Sequence, residues 1–268
     1  MKLPSELAGC SINSACNKAG LSIKQLLLLG IIAGVYISLG AFLVIVVTRD
    51  LSPIIGAGLT SLVAGAVFPV GLILIVLAGG ELFTGNCLMF TAWVDRKVSA
   101  KDIARNWFWV YAANFIGALL LAFLLYYSGF LQGAFAARTL EIAGAKVNLS
   151  FGEIFFRAIL CNWLVALAVW LAGGASEVIN KVIVLWIPIM AFVTGGFEHC
   201  IANMFFFSAG LLAKLDGAVA GNMNPTLLAN LDISGCVANL VPATLGNIVG
   251  AVLMVGMLYY SAYRKKQT

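Results

Sequence analysis

Two motifs, Gly79-Gly80-Glu81-Leu82-Phe83-Thr84-Gly85-Asn86 and Gly195-Gly196-Phe197-Glu198-His199-Cys200-Ile201-Ala202-Asn203, each interrupt an otherwise apolar stretch of this chain. A glycine pair loosens a helix, and a carboxylate at membrane depth is costly. Each break must therefore be buried in protein or line a watery path. Two such breaks, at similar places in the two halves, point to a pore.

The apolar stretches number six: about 26–47, 53–93 with the first break inside it, 106–127, 151–171, 182–212 with the second break, and 241–263. Each uninterrupted stretch reaches the roughly 20 residues that cross a hydrocarbon layer. They run as continuous blocks without the alternation of an outer-membrane strand, so they are helices. The chain is 62% hydrophobic and 10% charged, with a mean hydropathy of +1.02. An all-α integral membrane protein of six transmembrane helices is expected, with residues 26–263 as the channel domain. Residues 1–25 lack the apolar core of a secretory signal. They form an interfacial helix that either anchors the chain or plugs the mouth as a gate, and residues 264–268 form a basic tail.

Basic residues collect on the cytoplasmic side of membrane proteins. With the N-terminus inside, that side takes Lys2, Lys18, Lys24, Arg96, Lys97, Lys101, Arg105, Lys181 and the tail. The other takes Arg49, Arg138, Lys146 and Lys214, with Arg157 near the start of the fourth helix. Both termini are then cytoplasmic, in a multi-pass protein of the cell membrane. The net charge of +5 reports topology and gives no support to a nucleic-acid partner. The six cysteines form no CxxC pair and read as small buried hydrophobes. A single histidine excludes a histidine-rich metal site, and no metal or cofactor is expected.

Aligning Glu81 with Glu198 also brings Asn86 onto Asn203. Asn114-Phe115-Ile116-Gly117-Ala118 then resembles Asn247-Ile248-Val249-Gly250-Ala251. The halves read as a 3+3 repeat with helices 2 and 5 broken, and an odd number of spans per half inverts one half relative to the other. Such repeats place the site near the midplane, with half-helix N-termini aimed at the permeant species, which favours an anion. The second half-helices should begin near Thr84 to Asn86 and Ala202 to Asn203. Gly30, Gly34, Gly40, Gly56, Gly58, Gly65, Gly246 and Gly250 suit close helix packing.

Leu77-Ala78-Gly79-Gly80-Glu81-Leu82-Phe83-Thr84-Gly85 resembles the first signature of the formate/nitrite transporter family, and Ala158-Ile159-Leu160-Cys161-Asn162-Trp163-Leu164-Val165 resembles the second. Gly196-Phe197-Glu198-His199-Cys200-Ile201-Ala202-Asn203-Met204 looks like its third landmark, and Leu245-Gly246-Asn247-Ile248-Val249-Gly250 fits its last helix. Ala166 stands where the second signature commonly has cysteine. The resemblance implies an aquaporin-like protomer in a homopentamer, with one pore per protomer for hydrosulfide, formate or nitrite, here ranked in that order.

His199, inside a break, is the sharpest candidate: a pore-facing ring that donates a hydrogen bond or a proton to the anion. Glu81 and Glu198, supported by Asn86 and Asn203, are expected to accept hydrogen bonds from the amides freed at each break. Thr84 offers a hydroxyl at a half-helix start, and Leu82 and Phe83 beside it form part of the cytoplasmic-side constriction. The resemblance adds Phe68, Leu72 and Phe192 as pore-narrowing residues, and Lys146, on the loop ahead of the fourth helix, as an attractor of anions. Asn162 and Asn247 either line the vestibule or tie helix to helix. The function expected is a membrane channel for small monovalent anions; a proton-coupled secondary transporter using the same site is the alternative. No catalytic constellation accompanies His199, so an enzyme is not expected. The paired Asn-Pro-Ala boxes of a water channel are missing, and Asn224-Pro225-Thr226 falls in a loop.

Overall fold

The computed structural model describes residues 2–263; Met1 and residues 264–268, with the basic tail, lie outside the described residues. Every element is helical: α1 (Pro4–Ala19), α2 (Ile23–Thr48), α3 (Ser52–Val67), α4 (Val70–Ala78), α5 (Phe83–Asn86), α6 (Phe90–Val94), α7 (Ala100–Tyr127) and α8 (Gly133–Val147) in the first part. There follow α9 (Phe151–Ala172), α10 (Val178–Thr194), α11 (Cys200–Ala213), the short α12 (Gly217–Gly221) and α13 (Pro225–Leu228), α14 (Ile233–Ala251) and α15 (Leu258–Tyr263). Five helical runs are long and apolar enough to cross a membrane: Ile23–Thr48, Ser52–Ala78, Ala100–Tyr127, Phe151–Ala172 and Ile233–Tyr263. The crossing expected at 182–212 is divided between the shorter apolar helices α10 and α11.

Both breaks occur where the glycine pairs predict them. Gly79 ends α4 at φ 94° and Gly196 follows α10 at φ 67°, a left-handed backbone that side chains with a Cβ rarely adopt. The chain then runs extended through Leu82 and through His199 before α5 and α11 begin. α11 starts at Cys200, earlier than the Ala202 to Asn203 expected from sequence, because His199 itself occupies the N-cap.

The repeat is longer than the membrane spans. Ser22 opens α2 through a capping box with Gln25, and Ser150 opens α9 through the same box with Glu153. Counting back from these serines superposes α1 on α8 and Lys18 on Lys146. Lys146 therefore lies in the last turn of a helix, where sequence reasoning placed it on a loop. Asn224 likewise caps the short α13. α7 starts at Ala100 and α14 at Ile233, each one to two turns before the apolar stretch that announced it, because Ser99 and Asp232 supply the caps.

Glycines set two close helix pairs. A Cβ on Gly34 would overlap the Asn114 backbone of α7, and one on Gly117 would overlap the Ile31 carbonyl oxygen of α2. In the second half, Gly246 meets Phe155 and Gly250 meets Ile159, both backbone contacts of α14 on α9. Gly56 and Gly58, expected to pack, have nothing near them. Gly250→Val should therefore destabilise the detergent-solubilised protein by roughly 1–3 kcal/mol through overpacking, while Gly58→Ala should leave its melting temperature unchanged. Equal melting temperatures for both variants would contradict this packing.

Candidate functional site

Two cavities approach each other at the breaks from opposite sides. The one on the α8 side, about 360 Å³, is lined by Phe68, Lys146, Arg157, Phe192, Glu198 and His199 among others. The one on the α1 side, about 500 Å³, is lined by Lys18, Leu72, Glu81, Leu82, Asn86 and Lys181 among others. No described residue lines both. The partition is apolar on each face: Phe68 and Phe192 meet edge to face at 5.5 Å on one, and Leu72 and Leu82 close the other. The basic residues segregate as expected, Lys18 and Lys181 on one side, Arg138, Lys146 and Arg157 on the other.

The two breaks are held by the same hydrogen bonds. Asn114 Oδ1 accepts from the Phe83 amide at 3.0 Å, while its Nδ2 donates to the carbonyls of Gly30 and Glu81 at 2.8 and 2.9 Å. Asn247 Oδ1 accepts from the Cys200 amide at 2.9 Å, and its Nδ2 donates to Ala158 and Glu198 carbonyls at 2.8 and 3.0 Å. The freed amides thus go to asparagines of α7 and α14. This corrects the expectation that Glu81 and Glu198 would take them. Those carboxylates bind side chains instead: Glu81 accepts from Lys18 Nζ and from Asn86 Nδ2 at 2.7 Å. Glu198 accepts from Lys146 Nζ at 2.7 Å, from Asn203 Nδ2 at 2.6 Å and from Asn239 Nδ2 at 3.3 Å. Each buried carboxylate is paired with an ammonium, which removes its isolated charge from the cavity.

Between the cavities the halves diverge. The repeat matches His199 with Leu82 and Thr84 with Ile201, so one half supplies the ring and the other the hydroxyl. Thr84 Oγ1 and His199 Nε2 lie 3.1 Å apart, both side chains buried. The opposite ring nitrogen, Nδ1, accepts the Ala202 amide at 3.1 Å. An acceptor nitrogen carries no proton, so the neutral ring holds its hydrogen on Nε2 and donates it toward Thr84. Thr84 Oγ1 is then the acceptor, and its own hydroxyl hydrogen is free to point elsewhere. A second ring proton would have to sit on Nδ1 and break the helix cap. His199 stacks on Phe192 at 5.8 Å, which fixes the ring plane.

Residues 5–261 match the profile of the family described as "Formate/nitrite transporter". The chain belongs to the formate/nitrite transporter family. It is 41% identical to the uncharacterized transporter YrhG of Bacillus subtilis, over 98% of this chain and 94% of that one. It is 39% identical to the formate channel BtFdhC of Bacillus thuringiensis, over 99% and 97%. A solved structure described as a pentameric formate channel with formate bound is similar with a TM-score of 0.81 and 35% identity, over 91% of this chain and 98% of that one.

In this member of the formate/nitrite transporter family, several predicted residues sit elsewhere than expected. Phe83 lines neither cavity; it packs edge to face on Tyr111 at 4.9 Å and on Trp107 at 6.0 Å, behind the constriction. Asn247 is the helix tie described above. Asn162 also ties helices, donating to the Thr84 and Asn247 carbonyls at 3.1 and 2.7 Å, while its Oδ1 has no partner. Neither asparagine lines either of the two cavities. The network also includes residues that sequence reasoning left without a role: Lys18, Asn106, Asn114 and Asn239. Asn106 accepts from Asn86 and Asn239 from Asn203, both at 2.8 Å. Asn106 and Asn239 each precede Asn114 and Asn247 by eight residues, a spacing that marks them in the sequence. Among the described residues no group of three or more His, Cys, Asp or Glu side chains is placed to hold a metal ion. The buried cysteines Cys87, Cys161, Cys200 and Cys236 are free.

Proposed function

We propose that this protein is a passive channel for small monovalent anions, formate foremost, crossing one pore in each protomer of a homopentamer. Formate moves ahead of hydrosulfide because a relative similar along its whole length is described as a formate channel. The pentamer follows the solved structure described as one. The α1 side is cytoplasmic by the basic-residue bias, and both termini lie there in the cell membrane.

The observation that carries this reading is the Thr84–His199 pair at 3.1 Å between two separate cavities, with its ring nitrogen fixed by the Ala202 amide. An anion leaving water for an apolar constriction loses its hydration and needs donors in its place. The Thr84 hydroxyl hydrogen is one donor there, and the His199 Nε2–H becomes a second when the anion takes the place of Thr84 Oγ1 as its acceptor. They act by hydrogen bonding and not by proton transfer, since a neutral ring has no acidic proton to give at ordinary pH. Phe68, Phe192, Leu72 and Leu82 keep bulk water out of that point. The ion pairs Lys146–Glu198 and Lys18–Glu81 leave each vestibule without an isolated negative charge to repel the anion.

The test is uptake of formate, nitrite and hydrosulfide by proteoliposomes across a pH series, with His199→Ala beside the wild type. Wild-type uptake of formate, strongly reduced in the variant, is expected. Absence of uptake for all three anions overturns the reading, and so does unchanged formate flux in His199→Ala.

A further inference from the structure

We infer that Arg157 is an outer capture site for two-oxygen anions, carboxylate or nitrite, in the α8-side cavity, and that it favours them over single-centre anions such as hydrosulfide. The inference rests on the anion-channel reading above and names the residue that selects within it.

Three cations line this cavity, and two are committed. Arg138 donates to Glu141 at 2.8 Å and to Thr48 at 3.1 Å, and Lys146 donates to Glu198 at 2.7 Å. Among the described residues Arg157 has neither an ion-pair partner nor a hydrogen bond, although it is half-buried on α9. Glu153, one turn earlier, accepts from the Ser150 amide and hydroxyl on Oε2 at 2.9 and 2.7 Å and acts on Arg157 by charge attraction alone. The guanidinium lines the cavity with its donors uncommitted to the protein, so an anion entering the cavity can take them.

The repeat shows independently that the position faces the path. Arg157 superposes on Leu29, which lines the opposite cavity. The two halves thus put the same helix position in both vestibules and give only one of them a charge. Arg157 and His199 line the same cavity, so the guanidinium lies on the approach to the Thr84–His199 pair.

Its chemistry is selective. A guanidinium presents parallel N–H groups in a plane that match two oxygens of one carboxylate, whereas an ammonium acts as a point charge. Formate and nitrite offer two oxygens; hydrosulfide offers one sulfur and gains only Coulomb attraction. Arg157→Lys removes the fork and keeps the charge, and Arg157→Gln removes both.

The experiment is concentration-dependent uptake of formate, nitrite and hydrosulfide by proteoliposomes of wild type, R157K and R157Q at fixed ionic strength. In R157K the half-saturating formate and nitrite concentrations should rise about 10- to 100-fold, as expected for one lost charge-assisted bond, with hydrosulfide moving less than twofold. R157Q should raise all three. A formate half-saturation in R157K within twofold of wild type overturns the capture site and leaves Arg157 as a membrane-edge anchor. An equal shift for all three anions in R157K overturns its selectivity. Wild-type vesicles that take up none of the anions would instead defeat the channel reading.

Discussion

Asn247→Leu is expected to abolish recovery of folded protein from detergent, and Asn114→Leu to come close to doing so. Each asparagine closes a break by accepting one freed amide and donating to two carbonyls, in a fully buried position. Leucine is similar in size but makes none of these bonds. The Cys200 amide and the Glu198 carbonyl would be left unpaired at membrane depth. Two such groups cost roughly 2–6 kcal/mol together, against a typical total stability of about 5–15 kcal/mol. Asn222, exposed and with its side chain bonded to the Ala218 carbonyl one turn back, serves as the contrast: Asn222→Ala should leave a normal size-exclusion peak. A normal peak and melting temperature for Asn247→Leu would refute the role given to the asparagines.

Thr84→Val is expected to lower formate flux about 10- to 100-fold with the fold intact. Valine fills the same volume and removes only the hydroxyl. The lost interaction is a hydrogen bond to an ion, about 1.5–3 kcal/mol, and each 1.36 kcal/mol on a barrier is tenfold in rate. The substitution is cleaner than His199→Ala, which also removes the Nδ1 cap of α11 and the stack on Phe192. Thr84→Ser, which keeps the hydroxyl, should retain most of the flux. Equal flux in Thr84→Val and wild type, at equal protein per vesicle, would place the barrier somewhere else.

Much of this arrangement is legible in the sequence because it is local. Gly79 and Gly196 take the left-handed backbone their positions imply, and the equal spacing of Glu81 to Asn86 and Glu198 to Asn203 shows the repeat. The parts that escape depend on contacts between distant segments. α8 is a short surface helix with too small an apolar run to announce a span, so Lys146 reads as a loop residue. It becomes visible only when Ser22 and Ser150 are matched as equivalent caps, which also pairs Lys18 with Lys146. The capping of the breaks escapes for a related reason. A glutamate beside free amides is the nearest acceptor in sequence, but the amides of Phe83 and Cys200 reach Asn114 and Asn247 on other helices. Phe83 looks like a constriction residue by adjacency to Leu82, yet Leu82 ends the extended link while Phe83 opens α5, and its ring turns toward Tyr111. The Thr84–His199 contact itself cannot be read from the repeat, because it joins positions that the repeat does not equate.

The central claim is that formate crosses as the anion, hydrogen-bonded at the midplane by a neutral ring and a hydroxyl. Current across a planar bilayer holding the purified protein, under a formate gradient with equal pH on both sides, tests it most directly. The expected result is an ohmic current that reverses near the formate equilibrium potential and falls about 10- to 100-fold in Thr84→Val. Formate uptake by vesicles with no accompanying current would contradict the account, since the acid would then be crossing in its neutral form.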